Sequence, residues 1–266
     1  MYLRGSRAVG YAGSRGDGSL SDWDFVVVTT EHGALEEDVH LCNANLEVVL
    51  YDEATFLRLV RSGCIWALEC IFAPASCRLL EEIDFREALA RHIEQTPRDS
   101  WLASLRRSVA YESGRKWGQA KRYLVEKGDA YSCRKRMFIA MRFLVYGIEI
   151  ARTGTLTDLS CANHLWEQLR VHPAATWAEL RRAFEPTLRE LRTTFHSAAP
   201  KTPRYGGARI LFQSSKSHKS TMESSFRFPS MRQRRAQFRT MRMSSRPFAH
   251  CVRWALVIRL LRFEPA

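Results

Sequence analysis

Acidic residues are almost absent from the last quarter of the chain. Residues 200–266 contain 15 Lys and Arg but only two acids, whereas residues 1–199 contain 26 of each kind. The net charge of +13 therefore comes from the C-terminal segment, which also lacks sustained apolar periodicity. Such a segment buries too little apolar surface to offset the entropy cost of ordering. We expect residues 196–266 to be a disordered basic tail with affinity for nucleic acid, or else an out-of-frame C-terminus.

The chain also lacks the cysteine spacing of zinc sites, a secretory start and a long apolar run. Its seven cysteines include no C-x-x-C pair, which favours reduced, space-filling thiols. The N-terminus has no basic stretch followed by an apolar one, which argues against secretion. The apolar run 254–258 lies between Arg253 and Arg259 and is too short to span a bilayer. We therefore expect an intracellular protein that has no membrane association.

Short β-branched runs between glycine-rich turns are what the first part of the chain does contain. Residues 25–30 (FVVVTT) and 46–51 (LEVVLY) have the length and composition of strands. Asp52 can then cap a helix that begins directly after the second run. This alternation predicts a small mixed sheet with flanking helices over residues 1–85.

Helical periodicity dominates residues 86–195, which we interpret as an all-α domain. Residues 134–152 repeat apolar side chains at helical spacing and are followed by Gly154, a typical helix terminator. A last helix is predicted near 176–192, and Pro186 is expected to kink or split it. The whole chain is therefore predicted to be an α+β protein made of a mixed-sheet core, a helical domain and a basic tail.

Two aspartates at the start of the first strand are the strongest chemical signal. Asp22 and Asp24 are two residues apart, and residues at this spacing in a strand project to the same face. Two adjacent carboxylates repel each other unless a cation lies between them, which favours a divalent metal ion. Upstream, Gly5 and Ser6 form a turn where backbone N–H groups can closely approach a triphosphate.

This order of features resembles the polymerase-β-type nucleotidyltransferase superfamily, in particular members with an appended helical domain. The resemblance covers about thirty residues of the chain: an apolar strand, Gly5-Ser6, a loop with another glycine, and Asp22-x-Asp24 entering a second apolar strand. It implies transfer of a nucleoside monophosphate from an NTP to an acceptor, with release of pyrophosphate. It also implies dependence on Mg²⁺, with Mn²⁺ as a substitute.

The resemblance also implies roles for individual residues. Asp22 and Asp24 would bind the metal and act in catalysis, and Gly5, Ser6 and Arg7 would hold the nucleotide phosphates. The family usually adds a third carboxylate from a neighbouring strand. Glu47 is the lone acid in an otherwise apolar run, so it is our candidate for a third metal ligand or a general base.

Several alternatives stay open at the level of sequence. A second triplet begins at Gly13-Ser14 and could supply the phosphate loop instead of Gly5-Ser6. Glu47 could equally be an edge-strand residue that faces water. The acceptor is unspecified, since RNA, a protein hydroxyl and a small molecule are all compatible. The rival functions are a non-catalytic nucleic-acid-binding protein and an inactive remnant of the enzyme.

Basic residues within the predicted helical domain form a further candidate group. The pattern places them on exposed faces, where they would be solvated or would contact a triphosphate or RNA. They are Lys116, Lys121, Arg122, Lys135 and Arg136.

Overall fold

A computed structural model of the chain describes residues 1–11, 21–30, 39–43 and 46–201. The alternative Gly13-Ser14 loop lies outside the described residues, as does the chain beyond residue 201. The predictions made for those two segments therefore stay predictions.

Four strands form one mixed sheet. They are β1 (Tyr2–Arg4), β2 (Trp23–Thr29), β3 (Val39–Asn43) and β4 (Leu46–Asp52). The spatial order is β1-β2-β4-β3, so β2 and β4 are the inner strands. β2 runs parallel to β4, whereas β1 pairs with β2 and β3 pairs with β4 in antiparallel fashion. The predicted mixed sheet is confirmed, and both predicted strand runs are inner strands.

Helices account for most of the remaining described chain. They are α1 (Gly5–Val9), α2 (Glu53–Arg61), α3 (Ile65–Ile71), α4 (Phe85–Gln95), α5 (Arg98–Lys127), α6 (Ala130–Thr153), α7 (Asn163–Val171) and α8 (Trp177–Ala198). The α+β class is thus confirmed. A domain boundary near residue 85 stays a prediction, and α8 continues three residues beyond the predicted end of the helical segment.

Local capping explains where several helices begin and end. The Asp52 side chain accepts a hydrogen bond of 2.8 Å from the Thr55 amide, as the sequence predicts for the start of α2. Gly154 ends α6 in the left-handed conformation, with φ 79°. A capping box of Thr176 and Glu179 starts α8.

The predicted split at Pro186 is wrong, because α8 runs through this residue without interruption, whereas the predicted kink stays a prediction. Proline removes one intrahelical hydrogen bond, which disfavours but does not forbid a continuous helix. Phe184 and Leu188 flank the proline and are buried, as is Phe195 farther along α8. Burial of these side chains offsets the lost hydrogen bond.

A hydrophobic core packs the sheet against the helices. One row of side chains across three neighbouring strands is buried. It consists of Tyr2 of β1, which is paired with Val26 of β2, and Val49 of β4, which is also paired with Val26. These residues share one cluster with the inward faces of α2, α3, α5, α6, α7 and α8. Four of the five cysteines with described side chains are buried free thiols, as expected. None of the helices in the described ranges combines the length and apolarity that a bilayer crossing requires.

Gly147 of α6 lies in close contact with side chains of α5 and α8. A Cβ added there would lie 2.8 Å from Phe195 Cε2 and 3.0 Å from Val109 Cγ2. Both neighbours are fully buried, so neither can move aside freely. The absence of a side chain at this position therefore allows the three helices to approach one another.

We predict that Gly147→Ala lowers the free energy of unfolding by about 1–3 kcal/mol, because it overpacks a closed interface. Gly118→Ala is the matched control, since a Cβ at that position in α5 meets nothing within 4 Å. The control should stabilise the protein by up to about 1 kcal/mol through helix propensity. Urea denaturation of both variants checks this, and equal effects would contradict the packing.

Candidate functional site

Three charged residues lie in one row across three neighbouring strands. Arg4 of β1 is directly opposite Asp24 of β2, and Asp24 is directly opposite Glu47 of β4. Residues paired in this way project to the same face of a sheet, on strands about 4.8 Å apart. Since β4 is an inner strand, the alternative that Glu47 lies on an edge strand is wrong.

Gly5 lies against the Asp24 carboxylate. Its φ is +71°, which favours glycine, and an added Cβ would be 2.0 Å from Asp24 Oδ2. No other residue fits this position without displacing the carboxylate. The Gly5-Ser6 turn and the second aspartate of the motif, which are separated in sequence, are therefore in contact.

Ser6 has a buried hydroxyl group without a hydrogen-bond partner. The residue is 2% exposed, and its Oγ makes no hydrogen bond within the described part of the chain. The backbone carbonyl of Ser6, in contrast, accepts two hydrogen bonds of 3.0 Å, one from the Gly10 amide and one from the Tyr11 amide. A buried hydroxyl without a partner is uncommon in proteins and is a ready donor for a bound ligand.

Arg7 holds the segment that leads into β2. Its guanidinium donates two hydrogen bonds to the Ser21 carbonyl, at 3.2 and 2.8 Å, and lies 3.9 Å from the centre of the Trp23 ring. These contacts fix the chain on either side of Asp22. The predicted role of Arg7 in holding phosphate stays a prediction.

The three predicted carboxylates are not gathered into one closed metal site. Asp22 lies just before β2 rather than within it. In the described residues, no group of three His, Cys, Asp or Glu side chains is arranged to hold a metal ion. Mg²⁺ commonly binds proteins through one or two carboxylates and takes its other ligands from phosphates and water. Asp24 and Glu47, which are paired on neighbouring strands, fit that requirement. The hydroxyl of Ser6, the residue after Gly5, has no hydrogen-bond partner among the described residues.

Electrostatics make ionised Asp24 unfavourable in the folded protein. Burial raises the pKa of the Asp24 carboxyl, and the charges of Glu47 and Asp22 raise it further. Arg4 and Lys135 oppose this effect but do not cancel it. A carboxylate whose charge is destabilised by burial and by like charges is a recurrent feature of functional sites.

Sequence reasoning missed the residues that hold the Gly-Ser turn in place. Asn163 at the start of α7 donates a hydrogen bond of 2.8 Å to the Val9 carbonyl. Tyr11 packs its ring against Phe138 and Trp166, at centroid distances of 4.8 and 5.6 Å. No local motif marks these contacts, because they join residues more than 120 positions apart. Arg4 was also missed, although its position directly before Gly5 was a usable signal.

The basic helical residues divide into two groups. Lys121 and Arg122 are exposed, as predicted. Lys116, Lys135 and Arg136 are half-buried, so the prediction of exposed faces is wrong for them. Lys135 also acts electrostatically on Asp24, since its charge lowers the pKa of that carboxyl.

Comparison with known proteins does not supply a relative. No family model matches the chain, and no curated protein or solved structure matches it significantly. The resemblance described from the sequence therefore stays an expectation.

We predict that Asp24→Asn stabilises the metal-free protein relative to wild type increasingly as the pH rises. The pKa of Asp24 is higher in the folded protein than in the unfolded chain. The wild type therefore loses stability as the pH rises from the unfolded pKa to the folded pKa. The variant has no such titration. The difference in unfolding free energy between variant and wild type should therefore grow from about pH 3 to about pH 7. Urea titrations with a chelator present measure it, and a constant or shrinking difference would contradict the electrostatic account.

Proposed function

We propose that this protein is a metal-dependent nucleotidyltransferase that moves a nucleoside monophosphate from an NTP to an acceptor. The observation that supports this most is the contact between the Gly5-Ser6 turn and Asp24, which is itself paired with Glu47. The Gly5-Ser6 turn and Asp24 are two separate parts of the sequence motif. Their local structure does not require them to be adjacent, and yet they are in contact. It is the arrangement expected for holding phosphates next to paired carboxylates.

The proposed reaction is an in-line displacement at the α-phosphorus. A nucleophilic oxygen of the acceptor forms a bond to the α-phosphorus, and the bond from that phosphorus to the α,β-bridging oxygen breaks. Pyrophosphate leaves with the bonding electrons. The acceptor proton passes to the Glu47 carboxylate or to water, so charge and atoms balance.

Asp24 and Glu47 are the residues that would hold Mg²⁺ or Mn²⁺, with Asp22 as a contributor through its charge. The bound ion would supply positive charge to the phosphates and to the leaving pyrophosphate. Gly5 keeps the space beside Asp24 free of a side chain. The unpartnered Ser6 hydroxyl would donate a hydrogen bond to a phosphate oxygen. These residues act mainly by positioning and by stabilising charge.

The test is transfer of label from α-labelled NTPs to a mixture of RNA, protein and small-molecule acceptors in the presence of Mg²⁺. We expect transfer by the wild type and a loss of at least about 100-fold in Asp24→Asn and in Glu47→Gln, because each removes charge at the reacting phosphates. Asp99→Asn is the control, since this aspartate is exposed in the first turn of α5. It should retain full activity.

Other outcomes separate the rival functions. RNA binding without Mg²⁺-dependent NTP binding would favour a non-catalytic nucleic-acid-binding protein. NTP binding without transfer to any acceptor would favour an inactive remnant. Equal transfer by wild type and both site variants would reject the assignment of Asp24 and Glu47.

A further inference from the structure

A cleft lies where the turn between α5 and α6 meets the segment that connects α7 to α8. Its volume is about 590 Å³, within the range of about 300–1,000 Å³ that is typical of small-molecule sites. The end of α5, the start of α6 and the residues leading into α8 line it. None of Arg4, Asp24 and Glu47 is among the lining residues, so this cleft is a separate feature from the site described above.

Apolar side chains form much of the wall of the cleft. Leu124 and Val125 contribute from α5, and Pro173 and Trp177 contribute from the connection to α8 and its first residue. Val125 is 62% exposed, so it has apolar surface that a ligand can cover. The Trp177 ring meets the Trp117 ring edge to face, at a centroid distance of 5.7 Å. This contact restricts the Trp177 side chain before a ligand binds, which reduces the entropy lost on binding.

Arg134 is the one charged residue among the described residues that line the cleft. Its half-buried side chain holds the wall in place, because Nη2 donates hydrogen bonds to the His172 carbonyl at 3.1 Å and to the Ala174 carbonyl at 2.8 Å. The Nε atom is buried and has no hydrogen-bond partner within the described part of the chain. Arg134 also takes part in none of the ion pairs found there.

Two acids that flank the cleft in sequence are engaged with the backbone. Asp129 accepts a hydrogen bond of 2.8 Å from the Ser132 amide, and Glu179 accepts hydrogen bonds of 3.1 and 3.0 Å from the amides of the two residues directly before α8. Both carboxylates therefore cap the start of a helix. The carbonyl groups that contact Arg134 accept hydrogen bonds but carry no net charge. A half-buried guanidinium in this position is stabilised when a carboxylate binds beside it.

We propose that this cleft binds a small carboxylic acid with an apolar body, such as an arylalkanoic acid. The carboxylate lies beside the Arg134 guanidinium, and the apolar body covers Val125 and Trp177. One guanidinium among apolar walls matches a single negative charge. A polyphosphate fits less well, because its remaining charges would lie against apolar side chains. The cleft is thus a second ligand site, and it does not rest on the proposed transfer of nucleotides.

Isothermal titration of the full chain with 4-phenylbutyrate and with its uncharged amide, 4-phenylbutyramide, tests the proposal. The two probes share one apolar body, so the ratio of their affinities isolates the contribution of the carboxylate. We expect the wild type to bind the acid at least about tenfold more tightly than the amide, the difference expected for one charge-assisted contact. Equal affinities, or no binding of the acid up to its solubility limit, would overturn the proposal.

The same ratio separates a binding role of Arg134 from a structural one. Arg134→Gln should bring the affinities for acid and amide to within about twofold of each other, because the charged contact is lost. Arg152→Gln is the matched control, since Arg152 is an exposed arginine about 27 Å farther along α6. It removes the same charge and leaves the basic segment 200–266 unchanged, so it should keep the wild-type ratio. If Arg134→Gln weakened both probes equally, Arg134 would only support the wall, and the proposal would fall.

A substitution at an exposed position locates the bound acid without disturbing the Arg134 contacts. Val125→Glu adds a negative charge to the wall of the cleft, so it should weaken binding of 4-phenylbutyrate by at least about fivefold through repulsion. Leu80→Glu is the control, because Leu80 is 61% exposed and does not line the cleft. Its affinity should stay within about twofold of the wild type. Equal effects of the two substitutions would mean that the acid binds elsewhere, which would overturn the proposal.

Discussion

A buried ion pair between Glu69 of α3 and Arg142 of α6 is the constraint on which the arrangement of the site depends. Arg142 Nη2 lies 2.7 Å from Glu69 Oε1, and both side chains are almost completely buried. Removing one partner of such a pair would leave an unbalanced charge in the core, at a cost of about 3–5 kcal/mol. The pair is therefore a strict requirement on how α3 packs against α6. The guanidinium is also surrounded by four aromatic rings, at centroid distances of 5.5 to 5.7 Å: Tyr11, Phe138, Phe143 and Tyr146.

Tyr11 connects this ion pair to the Gly5-Ser6 turn. Arg142 Nη1 donates a hydrogen bond of 3.4 Å to the Tyr11 hydroxyl, and the Tyr11 amide in turn donates one of 3.0 Å to the Ser6 carbonyl, which closes the segment from Gly5 to Tyr11. At the other end of that segment, Gly5 lies against Asp24. The turn is thus held from both sides, by the helices and by the sheet. A site held on packed elements in this way is organised before any ligand binds, which reduces the entropy lost on binding.

Features that depend on neighbouring residues could be predicted from the sequence, and features that depend on distant contacts could not. The strand runs, the Asp52 cap and the Gly154 terminator were predicted correctly because each is specified within a few residues. Strand register is different, since it is set by packing across the whole sheet, so the pairing of Arg4 with Asp24 was not foreseen. The partial burial of Lys116 was not predicted for a related reason: helical periodicity gives the relative direction of side chains but not what packs against each face. The acceptor of the proposed transfer could not be predicted, because no residue of the motif specifies it.

The central claim is that Asp24 and Glu47, adjacent on parallel strands, bind a divalent ion together with a nucleotide. Electron paramagnetic resonance of Mn²⁺ added to the protein, with and without a non-hydrolysable NTP analogue, tests this most directly. Two carboxylates alone should bind the ion weakly, and phosphate oxygens should complete the coordination. We predict that the signal of free Mn²⁺ falls strongly only when protein and analogue are both present, and that this fall is lost in the Asp24→Asn/Glu47→Gln double variant. An equal fall in the double variant would contradict the account.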